Sequence, residues 1–238
     1  MTLDLAAFES VLAAELGDWR QRHYRVAVSG GLDSTVLLHL AAGAKTDGLR
    51  AVHVDHGLHP DSGEWRDCAS AGCAALGVPF ISLAVDVDTA GGESPEAAAR
   101  AARYDALAAA LEPGEILLTA HHADDQAETV LLQLLRGAGP AGLAAMPAST
   151  AFAGGRLCRP LLGFERATLA DYAHLHGLTW REDPSNADVR ADRNYRRHRV
   201  LPRLRERWPS LAATVGGSAR HSAADADLVR QQATADLA

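Results

Sequence analysis

Four times between residues 24 and 124 a short apolar run gives way, across a few small or polar residues, to a stretch with helical spacing. Tyr24–Val28, Leu49–Val54, Phe80–Val85 and Glu115–Ala120 read as strands. Ser34–Ala42, Gly63–Leu76, a segment from Pro95 to about Leu111 and one beginning near Asp124 read as helices. Ser94-Pro95-Glu96 is a helix start, with Ser as cap and Pro at the first helical position. Apolar strands alternating with helices pair in parallel, with helices covering both faces. The expected fold is therefore α/β, a doubly wound, mostly parallel sheet. Such sheets bind ligands beyond the carboxyl ends of their strands, where the strand order reverses. Two segments lie at strand ends of this kind: Ser29-Gly30-Gly31-Leu32-Asp33-Ser34 and His121-His122-Ala123-Asp124-Asp125-Gln126.

Outside this block the pattern changes. Residues 4–16 space Leu5, Phe8, Leu12 and Leu16 as one face of a short helix. Gly-Ala-Gly-Pro-Ala-Gly at 137–142 reads as a flexible connection, and residues 150–162 as a small hairpin around Gly154-Gly155. Residues 165–176 read as a helix closed by Gly177, and Asp192–Arg207 as a helix with Pro202 as a break. From about Leu211 the chain is rich in Ala, Asp and Gln.

With 238 residues, 47% of them hydrophobic and 22% charged, the chain can bury a substantial core. No apolar run reaches the ~18–20 residues that span a bilayer, and Met1-Thr2-Leu3-Asp4 lacks the basic start and apolar stretch of a signal peptide. A soluble, cytoplasmic protein with no membrane partner is expected. Cys68, Cys73 and Cys158 form no CxxC pair and read as small buried side chains. The net charge of −7 argues against nucleic acid, but Arg181–Arg207 holds nine arginines against five acidic residues, a local +4 that leaves −11 for the rest. A stripe of this kind binds phosphates or is a solvated arginine-rich helix; composition does not choose.

The loop after the first strand carries the chemistry. Two glycines let backbone N–H groups approach phosphate oxygens, and a helix N-terminus at Ser34 favours anions. Ser29 and Ser34 add hydroxyl donors. The loop is neither GxxxxGK[ST] nor GxGxxG, and the chain's single lysine is Lys45. On glycine and serine alone, a plain strand-to-helix turn explains the loop equally well. Asp33 shifts the balance: a carboxylate beside phosphates repels them unless a cation intervenes, and Mg²⁺ is the natural bridge.

VSGGLDSTVLLHL resembles the pyrophosphatase loop, SGGxDS, of the N-type ATP pyrophosphatases, enzymes that cleave ATP to AMP and pyrophosphate. His53-Val54-Asp55-His56-Gly57-Leu58 with Ser62 and Trp65, the set Glu96, Arg100, Arg103 and Tyr104, the run Thr119–Met146, Arg159-Pro160-Leu161-Leu162 and Trp180–Pro202 resemble the tRNA(Ile)-lysidine synthases within that superfamily. The resemblance covers roughly residues 24–208. It implies an adenine nucleotide alpha hydrolase-like fold with a small, mainly helical C-terminal extension. It divides the chain into a PP-loop domain at 1–145, a hairpin and helical extension with a basic tRNA-facing segment at 146–210, and a helical tail or linker at 211–238. The implied reaction attaches free L-lysine to C2 of the wobble cytidine of a CAU-anticodon isoleucine tRNA through an adenylated intermediate. The tRNA 2-thiolation enzymes, which share the loop but typically carry CxxC cysteines, and a nucleotide-binding module without turnover are the alternatives.

The resemblance assigns Ser29, Gly30, Gly31, Leu32, Asp33 and Ser34 to ATP. Mg²⁺ falls to Asp33 and Asp125, and catalysis to Asp33, Asp125, Glu128, His121 and Arg103. Asp125 and Glu128 share a helix face at i, i+3 and suit a cation, either the metal or the ammonium of lysine. Asp124 is read as the N-cap of that helix. His121 and His122 stabilise phosphate or move protons, or one of them merely packs. A zinc site from His53, His56 and His121 lacks motif support. Arg100, Arg193, Asn194 and Arg197 are assigned to tRNA, while Arg136 suits a helix C-terminus in any case. Longer family members carry C-terminal domains that help grip the tRNA, so a short form or a truncated chain is expected, and a homodimer is compatible with the family.

Overall fold

The computed structural model describes residues 2–46, 48–57, 62–87, 95–182 and 192–237, with the side chains of residues 95, 96, 192 and 193 left aside. Among the described residues there are six strands: β1 (Tyr24–Ala27), β2 (Leu49–Asp55), β3 (Phe80–Ala84), β4 (Ile116–Leu118), β5 (Ser149–Phe152) and β6 (Gly155–Cys158). The helices are α1 (Leu5–Leu16), α2 (Leu32–Gly43), α3 (Ser62–Ala75), α4 (Pro95–Ala110), α5 (Ala123–Leu135), α6 (Pro140–Leu143), α7 (Arg166–Leu175), α8 (Asp192–Tyr195), α9 (Leu201–Arg207) and α10 (Leu211–Asp236). The chain forms two compact units. One comprises Met1–Ala120, Ala148–Leu161 and Ala167–Glu182; the other comprises His121–Pro147, Leu162–Arg166 and Asp183–Ala238.

The first unit holds one six-stranded sheet in the order β3-β2-β1-β4-β6-β5. Every pairing is parallel except β5 with β6. The chain winds outward from β1 through β2 to β3, then crosses back to β4 on the other side of β1. Right-handed crossovers in opposite directions put their helices on opposite faces and leave a reversal of strand order between β1 and β4. The expected doubly wound sheet is thus present, and the hairpin at Gly154-Gly155 supplies its antiparallel edge. Val52, Leu107, Leu117 and Leu157 form a buried cluster, with Tyr104 and Phe152 packed against it. Each of these apolar residues lies on β2, β4, β5, β6 or α4, so α4 is held to the sheet by burial of apolar area.

A buried charge breaks the apolar pattern of β1. Arg25 is buried in β1 and donates to Glu115 at 3.1 Å. Glu115 also accepts from Arg50 at 3.0 Å and from the Glu112 N–H at 3.0 Å. This network joins residues beside the amino ends of β1, β2 and β4, at the opposite end of the sheet from the phosphate-binding candidate.

In the second unit α10 packs on α5 and α6. One expectation changes here. The glycine-rich stretch at 137–142 contains α6, because Pro140 at the first helical position is preorganised for a helix. The basic helix is not continuous: α8 passes into a π-helical turn, Arg196–Val200, ahead of α9. Pro202 lacks an N–H and cannot extend the preceding ladder, which accounts for a break beside it. The alanine-rich tail forms one 26-residue helix, consistent with its strong helix formers. No helix among the described residues is long and apolar enough to cross a membrane.

Candidate active site

The phosphate loop lies in the first unit, directly after β1. Val28 N–H donates to Val52 O at 2.9 Å, extending the strand up to the loop. Gly30 has φ +81, and a Cβ there would stand 2.5 Å from the Trp65 carbonyl oxygen. Both facts require glycine. Gly31 is different: its φ of −85 is open to any residue, and it serves as the N-cap of α2. The helix consequently begins at Leu32, two residues before the expected start at Ser34.

That shift changes what Ser34 does. Its buried hydroxyl accepts from the Ser29 N–H at 3.0 Å and lies 3.1 Å from Gly31 O, to which it donates. It also lies 3.0 Å from the Ser29 hydroxyl. Ser29 Oγ accepts from the Gly31 N–H at 3.3 Å, and Thr35 Oγ1 donates to Gly31 O at 3.0 Å. The hydroxyl expected to face a phosphate is therefore spent on holding the loop. From outside the loop, the Arg181 N–H donates to Gly30 O at 2.9 Å. Arg181 also forms an ion pair with Glu64 of α3. The helix ladder opens with the Thr35 N–H on Gly31 O, so the N–H groups of Leu32, Asp33 and Ser34 precede it. These groups and the positive end of the helix dipole suit an anion, and Asp33 lies in the same first turn.

The second set of residues lies in the second unit, at the start of α5. Its N-cap is His122, not Asp124. The His122 N–H donates to Asp125 Oδ2 at 3.2 Å, and the buried imidazole stands 3.4 Å from both the Asp124 and Asp125 carboxylates. Asp124 instead accepts from the Arg166 N–H at 2.8 Å and from the guanidinium of Arg205. Burial alone would raise its pKa; His122, the Arg166 N–H and Arg205 outweigh burial and hold the carboxyl well below the usual range.

Asp125 and Glu128 come together as their i, i+3 spacing expects, and both are buried. The cation they hold is Arg197. It donates to Asp125 at 2.7 Å and reaches Glu128 at 2.6 Å through Nε and 3.3 Å through a terminal nitrogen. An arginine expected on the tRNA backbone is here the partner of the acidic pair. Gln126 was assigned no role, yet its amide donates to Met146 O at 3.0 Å and accepts from the Met146 N–H at 3.1 Å. His121, one residue before the cap, is half-buried. Asn194 is half-buried, and the Arg193 side chain lies outside the described residues.

Magnesium takes few protein ligands, usually one or two carboxylates completed by phosphate oxygens and water. Asp33 fits that description. No group of three or more His, Cys, Asp or Glu among the described residues could hold a metal, so an ion beside Asp33 would depend on the nucleotide for further ligands. In the second unit, Asp125 already holds Arg197, so it could take another cation only by exchanging that guanidinium. The cysteines are free, and burial pushes the Cys73 and Cys158 thiols up to about 11 and about 12. That is opposite to the shift a sulfur-transfer thiolate needs.

A strand, a glycine-hydroxyl loop and a helix opening on an acid, set where a parallel sheet reverses its order, define a nucleotide-binding α/β protein. The chain belongs to the PP-loop domain family, whose model matches residues 5–204. It is 54% identical over 218 residues to a tRNA(Ile)-lysidine synthase of Alkalilimnicola ehrlichii, covering 90% of this chain and 49% of that protein. A tRNA(Ile)-lysidine synthase of Pseudomonas aeruginosa is 51% identical over 234 residues, 96% of this chain and 52% of the relative. The chain thus spans about half the length of the curated relatives it matches. Among solved structures, a U34-tRNA thiolase from Methanococcus maripaludis with its [4Fe-4S] cluster has a TM-score of 0.74 at 16% identity, covering 92% of this chain and 78% of that one. An NMN synthetase from Francisella tularensis has a TM-score of 0.51 at 10% identity, covering 92% and 96%. These two likenesses concern the fold.

Proposed function

We propose that this chain carries out the ATP-dependent ligation of free lysine to C2 of the wobble cytidine of a CAU-anticodon isoleucine tRNA. The observation that carries the reading is the identity of 51% over 96% of the chain to a tRNA(Ile)-lysidine synthase. In the proposed reaction the cytidine O2 attacks the α-phosphorus of ATP and pyrophosphate leaves. The amine of lysine, having lost a proton, then adds at C2, and AMP departs with the former carbonyl oxygen. An amide-like oxygen is a poor leaving group, and adenylation makes it a good one.

The residues divide accordingly. Ser29, Gly30, Gly31, Leu32 and Ser34 shape the cradle for the ATP phosphates, whose N–H donors are set before the charge develops. Asp33 would hold Mg²⁺, which when bound offsets negative charge on the phosphates. Asp125 and Glu128 form the cation pair, with Asp125 as the second candidate metal residue. Buried carboxylates that already hold a guanidinium suit the ammonium of lysine, which would take the place of Arg197. His121 moves the proton released by that amine, and Arg103 supports charge during adenylation. Arg100, Arg193 and Asn194 serve the tRNA, joined by Arg197 once the ammonium has displaced it from the acidic pair.

Mass spectrometry of nucleosides from isoleucine tRNA incubated with the protein, ATP and lysine tests the reading. Lysidine is expected only when all three are present. Its absence with a folded, ATP-binding protein would refute the assignment.

A further inference from the structure

The basic segment of the second unit sorts its arginines onto two sides. Arg197, Leu201 and Arg205 follow one another at i, i+4, an interval that keeps residues on one face of a helix. Leu201 is buried, Arg197 holds Asp125 and Glu128, and Arg205 holds Asp124, so this face is turned inward. Two residues away the same interval links Tyr195, Arg199, Arg203 and Arg207, and all four are exposed. A step of two residues is about 200° of helical turn, which puts the second row opposite the first. The wider π-helical turn at Arg196–Val200 works against the slow drift of an i, i+4 row, so each row keeps its side from α8 into α9.

Charge alone would make the outer row a solvated face. Its two ends argue otherwise. Tyr195 stands at the first end, 53% exposed, and Trp208 at the last, 59% exposed. The Trp208 N–H donates to Leu204 O at 2.9 Å, so Trp208 stays within the last helical turn. Exposed large aromatics that bracket a row of cations are the composition of a recognition surface. Glu206 lies 3.4 Å from Arg203, and both partners are exposed, so this ion pair holds Arg203 only weakly. Arginines at i, i+4 step roughly 6 Å along the axis, close to the length of one nucleotide in an extended strand. Guanidiniums for phosphates and aromatic faces for unstacked bases are what a single-stranded RNA needs.

We propose that the outer row, Arg199, Arg203 and Arg207 between Tyr195 and Trp208, binds the unpaired strand of the substrate RNA that carries the reacting base. This rests on the reading of the substrate as tRNA and adds a binding surface to it. The inner row of the same segment serves the acidic residues, so a strand on the outer row lies one helix diameter, ~10–12 Å, from the side that meets Asp125 and Glu128.

The test measures affinity for isoleucine tRNA over a salt series, and affinity for ATP, in the wild type, in the triple variant R199Q/R203Q/R207Q and in Trp208→Ala. The triple variant is expected to weaken tRNA binding at least about tenfold and to flatten the salt slope by about 2, three phosphate contacts at ~0.7 each. Trp208→Ala should weaken binding roughly tenfold with the slope unchanged, because stacking releases no counterions. ATP affinity should stay at the wild-type value in both. All four substituted side chains are exposed, so the variants should fold, and circular dichroism checks this. Unchanged tRNA affinity and slope in the triple variant would overturn the proposal. Wild-type affinity in Trp208→Ala would overturn it as well, reducing the row to a charged face without base contacts. So would a loss of self-association in the variants at unchanged tRNA affinity, which would make the row a contact between copies of the chain. Binding needs no turnover: a wild type that shows these slopes but makes no lysidine would sink the proposed function and leave the RNA surface standing. Lysidine formation with tRNA binding unaltered in the triple variant would do the reverse.

Discussion

The chain starts two helices in similar ways and holds them by different forces. α2 and α5 each follow a sheet strand, open on an extended N-cap (Gly31 and His122) and carry acid in the first turn. Around α2 the bonds are neutral: serine and threonine hydroxyls, loop N–H groups and the Arg181 N–H close on one another. Around α5 they are charged, with Asp124 on Arg205 and the Asp125–Glu128 pair on Arg197. The first arrangement leaves the positive helix end to face an outside anion. The second holds buried carboxylates whose cation comes from a side chain. One backbone device thus serves opposite charges, and neighbouring side chains decide which.

The contrast is broken most severely at Gly30. Gly30→Ala must relieve a positive φ and a 2.5 Å approach to the Trp65 carbonyl, so ATP-dependent pyrophosphate release should fall by at least about a hundredfold, given ~1–3 kcal/mol of backbone strain in addition to the clash. Gly31→Ala is the sharper comparison, because Gly31 has an ordinary φ; it should lose far less in the same assay. A result in which both glycines matter equally would mean that the close approach at Gly30 is not what makes the loop.

Arg197→Ala is expected to cost about 3 kcal/mol of stability or somewhat less, since it strands two buried carboxylates while its own side chain is partly exposed. Denaturant unfolding measures this. Adding Glu128→Gln should recover part of the loss, which shows the coupling as a non-additive double-mutant cycle.

The charged region should also show in acid. The Asp124 pKa is lowered in the folded state, so its contribution is fully present above the unfolded value of about 3.9 and is lost as pH falls through the lower folded value. Asp124→Asn should flatten the acid limb of stability measured by denaturant between pH 7 and pH 3. The smallest effect belongs to the neutral region. Ser34→Ala removes hydroxyl bonds within the loop and should cost about 1–2 kcal/mol of stability, with no change in the acid limb.

Much of the fold was legible because its signals are local. Apolar runs, Pro95, Gly177 and the Gly154-Gly155 turn each act on their own neighbours, and β1 to β4 lie close to where periodicity puts them. The phosphate loop was legible for the same reason, since glycine and hydroxyls close over six residues. The acidic site was only half legible. The i, i+3 pairing of Asp125 and Glu128 is a local consequence of helix geometry, but Arg197 and Arg205 reach their acids across 69 to 81 residues. No pattern in the basic segment separates an inward arginine from Arg199 or Arg203, which are exposed. Asp124 was misread as a cap because its capping chemistry is used on the Arg166 N–H rather than on its own helix. Arg159 was visible as part of a motif, but nothing local to it announces that it is buried.

The division of labour between the two helix starts is tested most directly by Glu128→Gln, assayed for pyrophosphate release and for lysine-dependent AMP release on isoleucine tRNA. If the acidic pair holds the amine, pyrophosphate release persists while the lysine KM rises at least about tenfold. Loss of pyrophosphate release with the lysine KM unchanged would contradict the account and move Glu128 to the nucleotide step.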